Sequence, residues 1–443
     1  MGSSADNEEL TLLHSTNITE THSSGPSHVI SNPYLLVVWQ MPLYRDASGQ
    51  LFADQLWGVD LLRHLEYLTS LSIVCPCLNQ APPPHAVCLD SSPNRLNVIE
   101  VPIQNTFSQS LRLTPRIIGA LWRGVRNAEI VHTGIEGWPI PIGWIAASIA
   151  LMQRRILLIN VESASWRLQP GAKVNWKVRL RSIIHEKVGC WLVSKTDLPF
   201  FTQDEYRQSL LGPDSARGFV IPASWIDDAD VVSEDEAERL WQNKLHSGES
   251  RLRILFAGRL TVKKGIPVLL QSIHLLAEEN QGIELDILGD GDLEADCKEA
   301  CRMLTGAARV RMVGTVPYGA PLFHLLRNYD AVVVPSISDE QPRIVFDAYS
   351  QGIPVIASDT TGLRPCVNEG VTGLLFPPGD PAALANLLRY SPEQREKLHR
   401  LGISSIKLAR DMTHRTMHLR RAALIQAFLH ARNNDDEASV GAS

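Results

Sequence analysis

A strand–helix alternation that runs twice, with an acidic segment between the two runs, is the feature that most constrains this fold. In the first run the predicted strands are 34–42, 71–77, 96–101, 129–133, 156–161 and 190–194, and the helices are 54–68, 115–128, 142–153 and 174–188. In the second run the strands are 253–257, 283–288, 310–313, 331–335, 354–357 and 373–376, and the helices are 266–279, 293–304, 321–327, 343–350 and 381–389. Such alternation indicates parallel sheets covered by helices on both faces. We therefore predict an α/β fold of two doubly wound, Rossmann-like domains that face each other across a cleft.

The length of 443 residues also favours two domains, because a single hydrophobic core rarely grows that large. Residues 1–30 are polar and predict a flexible N-terminal tail. The predicted N-terminal domain covers 31–226, a linker that leads into or carries a short helix covers 227–250, and the C-terminal domain covers 251–410. We expect a last helix, 411–432, to pack back on the first domain, and a flexible tail over 433–443.

The composition excludes several classes of protein. A net charge of −6 argues against a general nucleic-acid binder, which would be basic. The N-terminus lacks the apolar region of a secretory signal, and the apolar run 138–152 is too short to span a membrane. Seven cysteines without a framework spacing predict reduced thiols rather than disulfides or a metal site. We therefore expect a cytoplasmic protein.

Two acidic residues that lie eight positions apart, Asp339 and Asp347, follow the predicted strand 331–336. The first is predicted in a loop and the second within the helix that comes next. In an open α/β sheet this crevice is where ligands bind. Ionised carboxylates accept hydrogen bonds from hydroxyl groups, and the amides at a helix N-terminus favour an anion. A molecule with hydroxyls at both ends and an anion between them, such as a nucleotide sugar, fits this arrangement.

A basic loop and a glycine turn follow the first two strands of the second run. Arg259 and Lys264 lie in the run Gly258–Gly265, just before a predicted helix, and can converge on a diphosphate. The turn Gly289–Gly291 is predicted at the same edge of the sheet. It either contributes to the site or is simply a strand-to-helix turn in which Asp290 caps the next helix.

These segments resemble a known family. The runs GRLTVKKG, GDG and SISDEQPRIVFDAYSQGIPVIAS, between 253 and about 390, look like the donor domain of retaining glycosyltransferases of family 4, which have the GT-B fold. The last run resembles that family's motif of two acids with seven residues between them.

The resemblance implies roles for residues of the second domain. Asp339 would contact the hydroxyls of the donor sugar, and Asp347 would hold the ribose hydroxyls. Arg259 and Lys264 would neutralise the leaving diphosphate. The donor-binding set is completed by Glu340, which is the alternative sugar-contacting acid, by the amides of Arg343 and Ile344, and by Gly289 and Gly49. Both acids are Asp where the family usually has Glu, and Pro342 removes one amide donor.

The first domain matches the family less closely. Its loop 44–50 has one glycine, Gly49, where the family has a glycine-rich loop. His132 resembles a histidine near the family's sugar site and is predicted to be catalytic, although a structural role is the alternative. Glu162, Trp166 and Arg167 are the acceptor-site candidates, and simple packing is the alternative for Trp166.

A basic stripe is predicted on the helix 174–188. Lys173, Lys177, Arg181 and His185 recur every fourth residue, with Trp176 beside them. The stripe is either an ordinary solvated helix face or a contact with anionic lipid head groups or a lipid diphosphate. The second interpretation would place the protein at the inner face of a membrane.

The resemblance implies transfer of a hexose from a nucleotide-diphospho-sugar to a saccharide or lipid-linked acceptor hydroxyl with retention of configuration, in polysaccharide or glycolipid assembly. The donor is a substrate, so we expect no cofactor, and we expect no metal because two cationic side chains can replace one. Nucleic acid is not an expected partner. A nucleotide-sugar epimerase of the same fold and a catalytically weak sugar-nucleotide-binding protein are the alternatives.

Overall fold

The computed structural model describes residues 29–38, 41–89, 95–104, 106–137, 140–168, 174–338 and 342–441. The chain divides into two compact units. The first unit ends at Ala223 and also includes the chain from Met417 onward, whereas the second unit is Ser224–Thr416.

The first unit is built on a parallel sheet of seven strands. The order across this sheet is β7-β4-β1-β8-β9-β10-β11, and a small four-stranded sheet, β5-β2-β3-β6, lies within the same unit. The strands are β1 (Tyr34–Val37), β2 (Leu43–Arg45), β3 (Leu51–Ala53), β4 (Leu71–Cys75), β5 (Cys77–Asn79), β6 (Val87–Cys88), β7 (Leu96–Glu100), β8 (Ile130–Gly134), β9 (Ile156–Val161), β10 (Leu198–Phe201) and β11 (Phe219–Val220). The helices are α1 (Gln55–Tyr67), α2 (Phe107–Arg126), α3 (Ile142–Met152), α4 (Trp176–Ser194) and α5 (Asp204–Leu211).

Helices cover both faces of this sheet. Residues of α2, α3 and α4 share one core with one side of the strands, including Leu121, Ala147 and Leu192. On the other side, Leu61 of α1 and Ile425 of the C-terminal helix belong to a second core. All four residues of β1 are buried, as expected for a strand covered on both faces.

The second unit has a parallel sheet of six strands in the order β14-β13-β12-β15-β16-β17. The strands are β12 (Leu252–Ala257), β13 (Ile283–Leu288), β14 (Ala308–Gly314), β15 (Ala331–Val334), β16 (Val355–Ser358) and β17 (Gly373–Phe376). The helices that follow in the chain are α6 (Glu234–Leu245), α7 (Ile266–Glu278), α8 (Glu294–Met303), α9 (Ala320–Leu326), α10 (Ile344–Ser350), α11 (Pro381–Leu388), α12 (Pro392–Asp411) and α13 (His414–Gly441).

Both large sheets have the Rossmann strand order. The first three strands run outward from the centre, and the fourth then returns to the other side of the first. The reversal falls between β1 and β8 in the first unit and between β12 and β15 in the second. Ligands of such sheets bind outside the carboxyl ends of the strands at this switch point. The predicted class of two Rossmann-like α/β domains is confirmed.

Several elements differ from the sequence prediction. The predicted strand 190–194 is wrong, because α4 continues to Ser194 and the next strand begins at Leu198. The helix α2 starts eight residues earlier than expected, at Phe107, because the Thr106 side chain accepts from the amide of Gln109 and caps it. Pro115 lies inside that helix, where a helix start had been expected.

The acidic segment 227–250 contains α6, which is capped by Ser233 and whose Trp241 is fully buried in the core of the second unit. The helix α12 had not been predicted; it begins after Ser391, whose hydroxyl accepts from the Gln394 amide. The C-terminal helix α13 continues to Gly441, through most of the segment expected to be a tail. Among the described residues, none of the helices is both long and apolar enough to cross a bilayer.

Candidate functional site

A cavity of about 380 Å³ lies at the switch point of the second sheet, outside the carboxyl ends of β12 and β15. Its walls come from the loop after β12, the loop after β14 and the start of α10. The polar residues that line it are Lys264, Tyr318, Ser336, Arg343 and Asp347. The fold thus brings Lys264 and Asp347, two of the sequence-predicted residues, to one concave site.

Asp347 is the carboxylate of this cavity. It lies in the first turn of α10 and is only 3% exposed. One of its oxygens, Oδ1, accepts a hydrogen bond from the Tyr318 hydroxyl at 3.1 Å. Burial raises the pKa of Asp347 to about 7, although the Tyr318 hydrogen bond and the charge of Arg343 act in the opposite direction. A carboxylate held in this way has an unused oxygen for the hydroxyl of a ligand.

Tyr318 is a site residue that the sequence analysis missed. It lies in the loop after β14, and its hydroxyl contacts Asp347 within the cavity. Burial, and then the charge of Asp347, raise the pKa of this phenol, so it is a hydrogen-bond donor at neutral pH. Its position in the loop that follows a strand, at the same sheet edge as the paired acids, was the available signal.

Lys264 lines the cavity from the short 3₁₀ turn Val262–Lys264 that precedes α7. The next residue, Gly265, has a positive φ of 76°. A Cβ at this position would lie 1.8 Å from the carbonyl oxygen of Pro335, at the end of β15. Only glycine permits this close approach, so Gly265 packs the start of α7 against the strand that carries the acidic loop.

Arg259 is exposed in the loop after β12 and makes no ion pair among the described residues. The loop is supported by the glycine turn, because the amide of Leu260 donates to the carbonyl of Asp290 at 2.7 Å. A Cβ on Gly289 would lie 2.0 Å from the carbonyl oxygen of Gly258. Asp290 does not cap the next helix, whose N-cap is Leu293 without a side-chain bond. The turn therefore supports the basic loop, and donor binding by Gly289 stays a prediction.

Arg343 and Ile344 line the cavity at the start of α10, as the phosphate-binding prediction requires. The guanidinium of Arg343 lies 5.8 Å from the ring centroid of Trp225, a residue that the sequence analysis did not connect with the site. This distance is within reach of a cation–π interaction, which favours this position of the Arg343 guanidinium. Asp339 and Glu340, the two candidate sugar-contacting acids, lie outside the described residues.

His132 is placed within β8, where its neighbours across the sheet are Leu36 and Leu158. The ring is 4% exposed, and Nδ1 lies 2.9 Å from the Tyr34 hydroxyl. Burial lowers the pKa of His132 well below its ordinary value, and the charge of Arg421 adds to this effect. The ring is therefore neutral and packed, which matches the structural alternative. The predicted catalytic role stays a prediction.

Trp166 and Arg167 are held by side chains of their own domain. The Trp166 indole donates to Glu186 at 2.6 Å. Arg167 donates to both oxygens of Glu186, at 3.0 and 2.7 Å, and to Glu205 at 2.9 Å. These contacts correspond to the packing alternative, and an acceptor role for either residue stays a prediction. Glu162 is exposed just after β9 and accepts from the Asn160 amide at 3.0 Å.

Gly49 lies in the tight turn between β2 and β3 of the small sheet. The carboxylate of Asp46 accepts from the amides of Ser48 and Gln50, both at 2.9 Å, so the turn is held by its own side chain. Gly49 has a φ of 88°, and its Cβ would meet no atom within 4 Å. The glycine serves the turn, and its donor-binding role stays a prediction.

The basic stripe is interrupted in the structure. His185 is buried, with its ring centroid 4.7 Å from that of Trp144 and 6.1 Å from that of Trp166. Lys177 stays on the outside of α4, beside the exposed Trp176 ring. Burial lowers the pKa of Arg181. Lys173 lies outside the described residues.

Comparison with known proteins agrees with this site. Residues 251–390 match the family model "Glycosyl transferases group 1". The amylovoran biosynthesis glycosyltransferase AmsK of Erwinia amylovora is 33% identical over 143 residues, which are 31% of this chain and 35% of that protein. A D-inositol 3-phosphate glycosyltransferase of Xylanimonas cellulosilytica is 26% identical over 376 residues, 80% of this chain and 86% of the relative. The chain thus spans about a third of the first of these relatives and most of the second.

Solved structures share the fold. Anabaena HepE in complex with UDP superposes with a TM-score of 0.61 at 14% identity, over 89% of this chain and all of that one. The sucrose-phosphate synthase of Thermosynechococcus elongatus gives a TM-score of 0.60 at 18% identity, over 90% of this chain and all of that one. These likenesses confirm the predicted GT-B fold class. Residues 251–390 carry the pattern of the group 1 glycosyltransferases, and the resemblance that the motifs indicated is confirmed.

Proposed function

We propose that the protein transfers a hexosyl group from a nucleoside diphosphate sugar to a hydroxyl group of an acceptor, with retention of anomeric configuration and without a metal ion. The cavity at the β12–β15 switch point carries this proposal. It brings a cation, Lys264, and a buried carboxylate, Asp347, to one concave surface, within the segment that matches the family.

The residues that line the cavity suit the two polar parts of such a donor. Asp347 and Tyr318 offer an acceptor and a donor for the ribose hydroxyls. Lys264 and the start of α10 offer positive charge and backbone amides for the diphosphate. Stabilising the charge that develops on the departing diphosphate lowers the barrier to breaking the sugar–phosphate bond. The leaving phosphate itself can then take the proton of the incoming hydroxyl on the same face of the sugar.

A panel of UDP-, GDP- and ADP-sugars tests the donor site by thermal stabilisation. A bound donor shifts the melting temperature according to RT ln(1 + [L]/Kd). We expect one nucleotide class to stabilise the wild type, and Lys264→Ala and Asp347→Ala to abolish the shift. Lys263→Ala is the matched control, because this neighbouring lysine is exposed and does not line the cavity. A panel without any stabilising donor, or variants that respond like wild type, would refute the assignment of the cavity.

The chemistry is tested separately with the donor that binds. The anomeric configuration of the product, determined by NMR, tests retention, and turnover in excess EDTA tests metal independence. Conversion of the donor sugar without any acceptor would identify an epimerase. If the protein binds the donor but neither transfers nor hydrolyses the sugar, it is a sugar-nucleotide-binding protein. An amylovoran glycosyltransferase and an inositol phosphate glycosyltransferase among the relatives make saccharide and polyol-phosphate acceptors the first to assay.

Contact with a membrane surface belongs to the same proposal. The helix α4 exposes Trp176 (70% exposed), Leu180 and Ile183, and it carries four basic residues, Lys177, Arg179, Arg181 and Lys187. Its one acidic residue, Glu186, is bound by Arg167. Exposed apolar and basic side chains on one helix are typical of binding to an anionic bilayer interface.

Sedimentation with anionic vesicles tests this contact. We expect Trp176→Ser/Leu180→Ser to lower the bound fraction without lowering the melting temperature, since both side chains are exposed. Met303→Ser, an exposed apolar position on α8, is the control. Equal sedimentation of the double variant and wild type would count against a role for α4.

A further inference from the structure

A second concave site lies in the first unit, at the amino ends of the strands of its large sheet. Two cavities of about 370 and 330 Å³ share three arginines, Arg154, Arg155 and Arg432. Arg126 lines the first cavity, and Lys195 lines the second. Arg154 and Arg155 come from the turn between α3 and β9, and Arg432 comes from the C-terminal helix α13. Elements that are far apart in sequence therefore bring five cations to one place.

The local charge is opposite to that of the whole protein. The chain has a net charge of −6, whereas these cavities are lined by five cations and two carboxylates, Glu129 and Asp197. The Asp197 carboxylate already has a partner within the protein, because its Oδ2 accepts a hydrogen bond from the amide of Leu157 at 2.8 Å. In the part of the chain that the structure describes, none of the five cations forms an ion pair with a carboxylate. Their charge is thus available to an anion from outside.

Arg154 occupies a backbone position that normally belongs to glycine. It follows the end of α3 with a φ of 53°, while the amide of Arg154 donates to Leu151 and the amide of Arg155 donates to Ala150. This is the hydrogen-bond pattern in which a helix ends on a left-handed residue, usually glycine because a Cβ is unfavourable there. An arginine is less favourable than glycine at this position, so the turn itself does not require the Arg154 side chain.

Arg155 has a donor without a partner. One of its terminal nitrogens, Nη2, donates to the carbonyl of Arg126 at 2.7 Å, at the end of α2. The Nε atom is buried and has no hydrogen-bond partner among the residues that the structure describes. Buried N–H groups are rarely left unpaired in proteins, and a missing ligand is one explanation for such a group.

The helix dipoles explain only part of this cluster. Basic residues are favourable near helix C-termini, and Arg126 and Lys195 end α2 and α4 in that way. Arg432 lies on α13, within the part of that helix that belongs to the first unit, and it reaches both cavities without ending a helix there. The guanidinium is planar and binds phosphate oxygens through two parallel hydrogen bonds.

We propose that the two cavities form an anion site for the phosphoryl group of a small phosphorylated molecule, separate from the donor site. Their volumes lie within the range of about 300–1,000 Å³ that is usual for small-ligand sites and leave room for an organic part beside the phosphate. Leu151 and Phe428 provide apolar walls in one of them. The neighbouring Met152 is 72% exposed at the same turn. The ligand is thus either a soluble phosphomonoester or the phosphate of a lipid head group.

Two probes with the same phosphoryl group distinguish these sources. The soluble probe is sn-glycerol 3-phosphate, measured by titration calorimetry. The lipid probe is phosphatidylcholine vesicles with and without phosphatidic acid, measured by sedimentation. We expect wild type to bind one of the two probes, and Arg154→Gly/Arg432→Gln to lose affinity for it by about tenfold or more, as expected when charge-assisted hydrogen bonds are removed. We expect Arg154→Lys/Arg432→Lys to retain part of it.

The variants are chosen so that a loss of folding cannot explain a loss of binding. Glycine suits the left-handed position, so Arg154→Gly is expected to melt no lower than wild type. Lys298→Gln/Arg302→Gln, at two exposed cations of the second unit, controls for the loss of two positive charges. Binding of glycerol 3-phosphate identifies a soluble ligand, and binding of phosphatidic acid vesicles alone identifies a lipid. The proposal is overturned if wild type binds neither probe, or if the glycine–glutamine variant binds like wild type.

Discussion

Replacing Asp347 by Asn should make the unliganded second unit more stable at alkaline pH while removing donor binding. The carboxylate is buried at 3% exposure, and its pKa is raised from 3.8 to about 7. Asn has nearly the same shape, and its carbonyl oxygen can still accept the hydrogen bond that Tyr318 donates to Oδ1. The substitution therefore removes the charge and leaves the packing in place.

The size of the effect follows from the pKa shift. A carboxyl group whose pKa is raised in the folded state contributes stability at low pH, and this contribution is lost as the pH rises through the folded-state pKa. Between pH 5 and pH 7 the folded state keeps a proton that the unfolded state has lost, at about 1.4 kcal/mol per pH unit. From pH 5 to pH 8, wild type should thus lose about 3 kcal/mol relative to Asp347→Asn.

Hydrogen exchange measures this difference in the relevant unit. Two units need not unfold together, so a single melting curve would mix their stabilities. Exchange of the amides of β12, in the core of the second unit, reports the opening free energy of that unit alone. We would compare both proteins at pH 5, 6, 7 and 8, after correcting for the intrinsic exchange rate. Amides of β8 in the first unit serve as the internal control.

A stability difference between variant and wild type that does not change with pH would show that Asp347 titrates near its ordinary pKa. A variant that is less stable than wild type at pH 8 would show that the removed charge was a stabilising one. An Asn variant that still binds the donor as tightly as wild type would remove Asp347 from the ribose site and leave its burial unexplained.

Two further predictions concern Gly265 and Arg167. Gly265→Ala should destabilise the second unit by about 4 kcal/mol or more, because the added Cβ would collide with the Pro335 carbonyl. The control Gly379→Ala has a similar positive φ but no described atom within 4 Å of the added Cβ, so it should cost only about 1 kcal/mol. Equal losses of stability in urea denaturation would show that the close approach is unimportant. Arg167→Ala should lower the melting temperature by the equivalent of about 1 kcal/mol through its lost bonds to Glu186 and leave donor binding unchanged. An unchanged melting temperature combined with a raised KM for the acceptor would instead support the acceptor role.

Much of the structure of the second unit could be predicted from the sequence. Its strands are short apolar runs followed by turn residues, and parallel strands place those turns at one edge of the sheet. Lys264 and Asp347, 83 positions apart in the chain, were therefore expected to meet, and both line the cavity. The reason for a glycine at position 265 was not visible, because the neighbour that requires it, the carbonyl of Pro335, comes from a distant part of the chain.

Contacts between residues that are distant in the chain could not be predicted from the sequence in this way. Trp166 and Arg167 resembled exposed ligand-binding residues, but their partner Glu186 lies on a helix about 20 residues further along the chain. The assignment of His185 to the basic stripe was an error of the same kind, because two tryptophan rings cover it. A four-residue spacing predicts that side chains share a helix face, and it does not say whether another element covers that face.

The sequence alone determined the two α/β units and the residues at the edge of the second sheet, because periodicity and turn chemistry act between near neighbours. Tertiary structure decided the protonation and partners of those residues. Asp347 has a pKa of about 7 only because the fold buries it, and the hydrogen bond that lowers this pKa comes from Tyr318, in a different loop. The arginine site likewise exists only because α13 returns to the first unit and brings Arg432 to Arg154 and Arg155. Burial and charge are collective properties of many distant residues, so a pattern of near neighbours cannot specify them.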